Sequence, residues 1–253
     1  MTEQEMKDEI RRLAPFRHAL DLPYGLSTYV PELNRRETER TRLANLVKHV
    51  WPSLLKICDS SLRGQRILDV GCNCGGFSIE AAKSGAEYVL GIDVVGRYIE
   101  QANFIKCALA LEQVEFKNIA IEDVDEAGIG HYDITFCFGL LYNLENPVLA
   151  MKKLSSVTRR IMVVDTDVVH TPFTQSPFWL MTFRDPDTSE SPSISTSLWR
   201  TKRVCQLEPN THAVFELLNF LGFSKAMQLK PEVEGLENRY YRGKRETWLA
   251  IRE

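Results

Sequence analysis

The 253-residue chain is expected to fold as an α/β protein with a doubly wound, mostly parallel seven-stranded sheet. An N-terminal helical cap should precede that sheet, and an aromatic insert should follow its fifth strand. Three observations predict this. Between residues 66 and 165, short apolar runs alternate with helical patterns at the spacing of βαβ units. The first run leads into a glycine cluster, Gly71, Gly75 and Gly76, after which Phe77, Ile79, Ala81 and Ala82 begin a helical pattern. The length and an ordinary composition, 44% apolar and 26% charged, suit one globular core with decorations.

Taken in order, Glu3 to Leu13 reads as a helix, with Met6, Ile10 and Leu13 spaced for one face. Pro15 to Pro31 holds too many Pro and Gly for a helix yet is rich in aromatics. Residues 37–57 read as a helix on Leu43, Leu46, Val47, Val50 and Leu54, which Pro52 is expected to kink or end. A polar break at 59–65 then separates a cap or substrate segment, residues 1–60, from a ligand-binding core, residues 61–253. Core strands are expected at 66–70, 88–93, 114–117, 132–138 and 160–165, with helices at 76–84, 96–110 and 147–156. The stretch 168–205 breaks the alternation and carries Phe173, Phe178, Trp179, Phe183 and Trp199. That is too aromatic for a disordered linker, and it reads as a substrate lid. A helix at 209–221, capped by Gly222, and strands at 225–230 and 247–251 close the chain.

Bulk charge narrows the partners. A net charge of -3 and a pI near 6 disfavour a strong non-specific hold on a phosphate backbone. The run Arg239-Tyr-Tyr-Arg-Gly-Lys-Arg245 is basic with interleaved aromatics, which suits either nucleic acid or an exposed hairpin before a terminal edge strand. The hairpin is the preferred reading. No apolar run reaches the roughly 18–20 residues of a membrane helix, and the polar N-terminus is unlike a signal, so a cytoplasmic protein without a membrane partner is expected. Cys72 and Cys74 form a C-x-C with no second pair at zinc-site spacing. Reduced structural thiols are expected, and no metal.

The chemistry starts at the glycine turn. Strand, glycine turn and helix present backbone N–H groups to a ligand's polar end. A nicotinamide-cofactor turn needs glycine where this chain has Asn73, and Asp69 stands two residues before the first glycine. A carboxylate there repels a pyrophosphate but accepts hydrogen bonds from an ammonium group. S-adenosylmethionine (SAM) carries an ammonium and no phosphate. Asp93, about twenty residues on, ends the second strand, where a carboxylate takes ribose hydroxyls or caps the next helix.

Three motifs in sequence carry a resemblance: Asp69-Val-Gly-Cys-Asn-Cys-Gly-Gly-Phe-Ser78, Gly91-Ile-Asp-Val94 and Phe138-Gly-Leu-Leu-Tyr-Asn-Leu-Glu-Asn-Pro147. The chain resembles a Rossmann-like class I SAM-dependent methyltransferase of the branch related to the tRNA uridine 5-oxyacetic acid (carboxymethyl)transferase CmoB. Asp21-Leu-Pro-Tyr-Gly-Leu-Ser-Thr28 and Pro209…Leu217-Leu218…Gly222-Phe223 are similar to further segments of that branch. The likeness covers residues 15–165 and, more loosely, 205–252. It implies that Asp69, Gly71, Cys72, Asn73 and Gly75 surround the methionine end of SAM, with Asp93 and Val94 at its ribose. Ile121 and Glu122 would line the adenine pocket, in place of an acid often found near Ala120. Phe138, Gly139 and Leu140 would pass under the cofactor.

Where the branch usually has histidine this chain has Asn143, and an amide cannot act as a base near neutral pH. His170 is the first candidate for a proton acceptor, with Asp167, Tyr142 and His18 behind it; each reads equally as a pocket wall or cap. The expected activity is metal-free, in-line transfer of a methyl group to O or N of a small organic acceptor, in secondary metabolism, with S-adenosylhomocysteine (SAH) as product. The alternative is a tRNA-modifying (carboxy)methyltransferase of the wobble-uridine type. A module that binds SAM without catalysis and an NAD-dependent dehydrogenase are more distant readings, the latter disfavoured by Asp69 and Asn73.

Overall fold

A computed structural model describes residues 1–34, 38–170, 176–184 and 204–253. Phe173 and Trp199 lie outside the described residues. The elements run α1 (Glu3–Leu13), α2 (Thr38–Ile57), β1 (Arg66–Val70), α3 (Gly76–Lys83), β2 (Tyr88–Asp93), α4 (Gly96–Ala108) and β3 (Val114–Asn118). They continue with α5 (Glu126–Ile129), β4 (Tyr132–Phe138), α6 (Pro147–Val157), β5 (Thr158–Asp167), β6 (Trp179–Arg184), β7 (Val204–Pro209), α7 (Thr211–Phe220), β8 (Lys225–Leu229), α8 (Asn238–Tyr241) and β9 (Arg245–Ile251). Seven strands form a mostly parallel sheet in the order β3-β2-β1-β4-β5-β9-β8, with flanking helices. This is the doubly wound architecture expected.

Three local expectations change. Pro52 does not end α2, which runs through it to Ile57. Residues 238–241 are a helical turn rather than an arm of a hairpin. The last strand, β9, is internal: it pairs antiparallel with both β5 and β8, and β8 is the edge. The insert contributes a separate two-stranded ribbon, β6 against β7, with Trp179 opposite Pro209.

The chain divides into two compact units, residues 1–119 with 231–237, and residues 120–230 with 238–253. The boundary expected near residue 60 falls inside the first, between α2 and β1.

In the first unit, parallel β1, β2 and β3 supply a continuous apolar layer (Ile67, Leu68, Val89, Leu90, Ile92), as strands buried on both faces require. The N-terminal segment is fastened to α4 by polar side chains aimed at backbone carbonyls. Gln101 Nε2 donates to the carbonyls of Leu13 (2.6 Å) and Pro15 (2.9 Å), and Arg97 Nη2 to that of Ala14 (2.7 Å). Thr28 Oγ1 donates to the His18 carbonyl (2.7 Å) and accepts from Leu20 N (2.9 Å), closing the Pro-rich loop on itself. One aromatic ring organises the glycines. A Cβ at Gly75 or at Gly91 would come within 2.5 Å of Phe116, so the ring fills the space both side chains would need.

In the second unit, β4 and β5 run parallel and bury Ile134, Phe136 and Ile161 to Val164. β9 lies on β5 in a register that sets Thr247 opposite Asp165 and Arg245 opposite Asp167. Asn210 caps α7 through Ala213 N (2.8 Å), and Gly222 follows that helix at φ +85°, the left-handed turn expected after it.

Candidate active site

The first unit places the predicted glycine turn after β1. Gly71 N and Cys72 N both donate to the Ile92 carbonyl (2.9 and 3.0 Å), so β2 continues to hold the chain beyond the end of β1. Asn73 adopts φ +52°, a conformation asparagine tolerates, and its Oδ1 accepts from Cys74 N at 2.8 Å. Gly75 adopts φ +81° and opens α3. Asp93 accepts from Asn73 N through Oδ2 and from Val95 N through Oδ1, both at 2.9 Å. Both of its oxygens therefore brace the turn, while Asn118, beside it in register, donates Nδ2 to its carbonyl (2.7 Å). Burial raises the Asp93 carboxyl above the usual range, and backbone N–H groups of Val95, Asn73 and Val94 oppose the rise.

Asp69 is 1% exposed, and its Oδ2 accepts from Ser78 Oγ at 2.6 Å. Burial pushes its carboxyl up to about 7, against the Ser78 hydrogen bonding and with a contribution from Asp93. Sequence reasoning did not include Ser78; it stands nine residues on, on the first turns of α3. Cys72 and Cys74 are buried, and burial holds both thiols protonated, Cys74 at about 11. Val94 is half-buried beside Asp93. His18 is also in this unit. Its Nδ1 is buried without a hydrogen-bond partner, its ring meets Phe77 edge-on at 5.6 Å, and burial drives its pKa down to about 3.

The second unit holds the other predicted positions. Ile121 is buried and Glu122 exposed, on a 3₁₀ turn at Ile121–Asp123. Phe138, Gly139 and Leu140 are half-buried at the end of β4. Asn143 Nδ2 donates to the Gly139 carbonyl (3.1 Å), and its Oδ1 accepts from Gln206 Nε2 on β7 (2.6 Å). His170 is exposed, its imidazole packed against Gly243.

Asp167 is not alone. It ion-pairs with Arg239 and with Arg245 Nη1 (3.3 Å), within a buried centre that sequence reasoning missed. Asp165 is its hub. Its carboxylate accepts from Arg245 Nε (2.8 Å), from Arg245 Nη2, from the Tyr240 hydroxyl (2.7 Å) and from Thr247 Oγ1 (2.8 Å). Burial opposes the Arg245 charge, but Asp165, Tyr240, Tyr142 and Asp167 outweigh it and keep the guanidinium charged. Burial raises the Asp167 carboxyl even so, against the pull of both arginines. Arg245 also reaches the end of β4, lying 5.8 Å from the Tyr142 ring centre and filling the space beside Gly139. The readable signal was opposite charge at paired strand ends: two acids alternating on β5, and Arg245 opening β9.

Comparison with known proteins gives this geometry its family. The methyltransferase domain family matches residues 61–217. Among curated relatives, a ubiquinone biosynthesis O-methyltransferase of Neisseria meningitidis is 28% identical over 100 residues, 40% of this chain and 42% of that protein. A tRNA U34 carboxymethyltransferase of Helicobacter pylori is 26% identical over 168 residues, 65% of this chain and 59% of the relative. The chain thus spans about two fifths to three fifths of the length of the curated relatives it matches. Among solved structures, the N-terminal domain of EvdMO1 in the presence of SAH and D-fucose aligns with TM-score 0.70 at 16% identity, covering 100% of this chain and 97% of that one. The magnesium protoporphyrin IX methyltransferase ChlM of Synechocystis PCC 6803 with bound SAH aligns at TM-score 0.57 and 18% identity, covering 87% and 89%. At such identities these two show a shared fold. With the matched core on β1 to α7, the chain belongs to the methyltransferase domain family, and its fold is the Rossmann-like one of these solved methyltransferases.

Proposed function

We propose that this protein moves the methyl group of SAM to an oxygen or nitrogen of a small organic acceptor. SAM, when bound, supplies a methyl group on a sulfonium, a good leaving group. The chain's own residues then have to bind the donor, align the acceptor and exclude water. The turn suits such a donor. Asp69 and Asp93 are buried acids whose oxygens can accept from an ammonium and from ribose hydroxyls, and they suit a pyrophosphate poorly. In this reading Gly71, Cys72, Asn73 and Gly75 shape the methionine end, and Val94 flanks the ribose.

On the acceptor side, Asp167 holds Arg239 and Arg245, and Asn143 holds Gln206, so both act as positioning residues. Tyr142 forms a wall. The exposed imidazole of His170 is the proton acceptor for a hydroxyl nucleophile; a neutral amine needs none.

The observation that carries the small-acceptor reading is the fate of the 239–245 run. Two of its four cations, Arg239 and Arg245, are tied to Asp167 and Asp165 rather than offered to a phosphate backbone. A second reading, a tRNA-modifying (carboxy)methyltransferase, is favoured by the Helicobacter relative and by exposed Tyr241, Arg242 and Lys244. One experiment separates them: incubate the protein with methyl-labelled SAM and either a pool of hydroxylated and amino-bearing metabolites or bulk tRNA. Label in the metabolite pool, insensitive to 50–200 mM salt, supports the first reading. Label in tRNA, falling steeply with salt, establishes the second. No transfer in either overturns both.

A further inference from the structure

Asp69 sits at the fourth position of β1, and among the described residues no cation balances it. The titratable groups that face it are the Asp93 carboxyl, from the end of β2, and the Cys72 thiol, from the turn. Cys72 is held protonated by burial, and Asp93 is an acid. From α3, Ser78 offers neutral groups alone, its hydroxyl and its backbone. A carboxyl 1% exposed, beside a second acid and hydrogen-bonded by the Ser78 hydroxyl and backbone, stays neutral to higher pH than a free carboxyl does. The same carboxyl is the group offered to the ammonium of the donor, and an ammonium is the countercharge it lacks.

We propose that Asp69 is protonated in the ligand-free protein and surrenders that proton to solvent when a ligand bearing an α-ammonium group binds, so that the turn takes a cation in exchange for a proton. This rests on the cofactor reading above and adds to it. The ligand keeps its three ammonium protons, the carboxyl becomes a carboxylate, and the released proton goes to buffer. No covalent bond changes.

The direction with pH follows from the burial that lifts Asp69 to about 7 in the free protein. An ammonium partner lowers that value in the complex. Binding therefore releases a proton at pH values below about 7, and affinity rises with pH through that range before levelling off. Linkage sets the size: affinity should gain about tenfold between pH 6 and pH 8. Burial raises Asp93 as well, against the backbone N–H bonds from Asn73 and Val95, but Asp93 faces the ribose, so its contribution is common to every ligand that carries the nucleoside.

The test is isothermal titration calorimetry with SAH in phosphate and in Tris, whose ionisation enthalpies differ. At pH 6.5 more than about half a proton should be released per SAH bound, and at pH 8.5 almost none. Methylthioadenosine, which has the nucleoside but no amino-acid tail, should release fewer protons than SAH at pH 6.5, and the difference between the two isolates Asp69. Asp69→Asn should remove that difference. Ser78→Ala, which withdraws the hydroxyl favouring the ionised form, should extend the release to higher pH. Infrared difference spectra of the unmutated protein give a check independent of any variant, since SAH should erase a protonated-carboxyl stretch. SAH binding with identical enthalpies in the two buffers at pH 6.5 overturns the proposal and leaves the cofactor reading standing. Failure of SAH to bind at all overturns both.

Discussion

Arg245 Nε donates to Asp165 Oδ1 at 2.8 Å, one diagonal step away from its register partner Asp167. Both side chains are buried, and each is the main countercharge of the other. Arg245→Met should therefore cost about 3–5 kcal/mol, because it strands a buried carboxylate. Adding Asp165→Asn should restore most of that loss, since a neutral amide can still accept from Tyr240 and Thr247. Urea denaturation of the single and double variants measures it. No recovery in the double variant would assign the loss to packing of the arginine stem.

His18 responds to acid. Its folded-state pKa of about 3 lies below that of an unfolded histidine, so its contribution is present above about pH 6.5 and is lost as pH falls. Relative to the unmutated chain, His18→Phe should be within about 1 kcal/mol at pH 7.5, because the ring contact with Phe77 is kept and no hydrogen bond of Nδ1 is broken. At pH 5 it should be more stable by about 2 kcal/mol. Thermal melts across that range would show the two curves diverging on the acid side.

Asp93 braces the turn and faces the ribose in the proposed complex. Asp93→Ala should weaken SAH and methylthioadenosine alike, by about 1–3 kcal/mol, as both carry the ribose. Equal affinity in the variant would leave Asp93 as a brace for Asn73 and Val95 alone.

His170 is exposed, so its removal should leave the melting temperature nearly unchanged. With a hydroxyl acceptor, His170→Ala should lower kcat about 10²–10⁴-fold, and with an amine acceptor much less. Comparable losses with both would remove the proton-acceptor role.

The parallel core and the donor turn were legible because their determinants are local. A run such as Tyr88 to Asp93 announces a buried strand by composition, and the Asp69 to Gly75 chemistry is contained in seven consecutive residues. The Asp165–Arg245 centre was not legible in the same way. It joins residues 80 positions apart, and only the antiparallel register of β9 on β5 brings them together. The 239–245 run illustrates the consequence: its composition is basic and suggests an exposed surface, but Tyr240 and Arg245 turn inward to a partner that no local pattern announces. Strand β7 was missed for a related reason, since Cys205 to Pro209 is polar and its pairing partner is β6 in the insert.

The ring of Phe116 occupies the room that side chains at Gly75 and Gly91 would need, and so makes three separated positions interdependent. Neither glycine can gain a side chain alone. A larger residue at 75 or 91 requires a smaller one at 116, and Gly75 adds the cost of its left-handed φ of +81°. Gly91→Ala should therefore be poorly tolerated by itself and partly rescued by Phe116→Leu, which would appear among relatives as co-variation between β2 and β3. The aromatic residue of an unremarkable strand thereby limits how far the donor turn can change while keeping its shape.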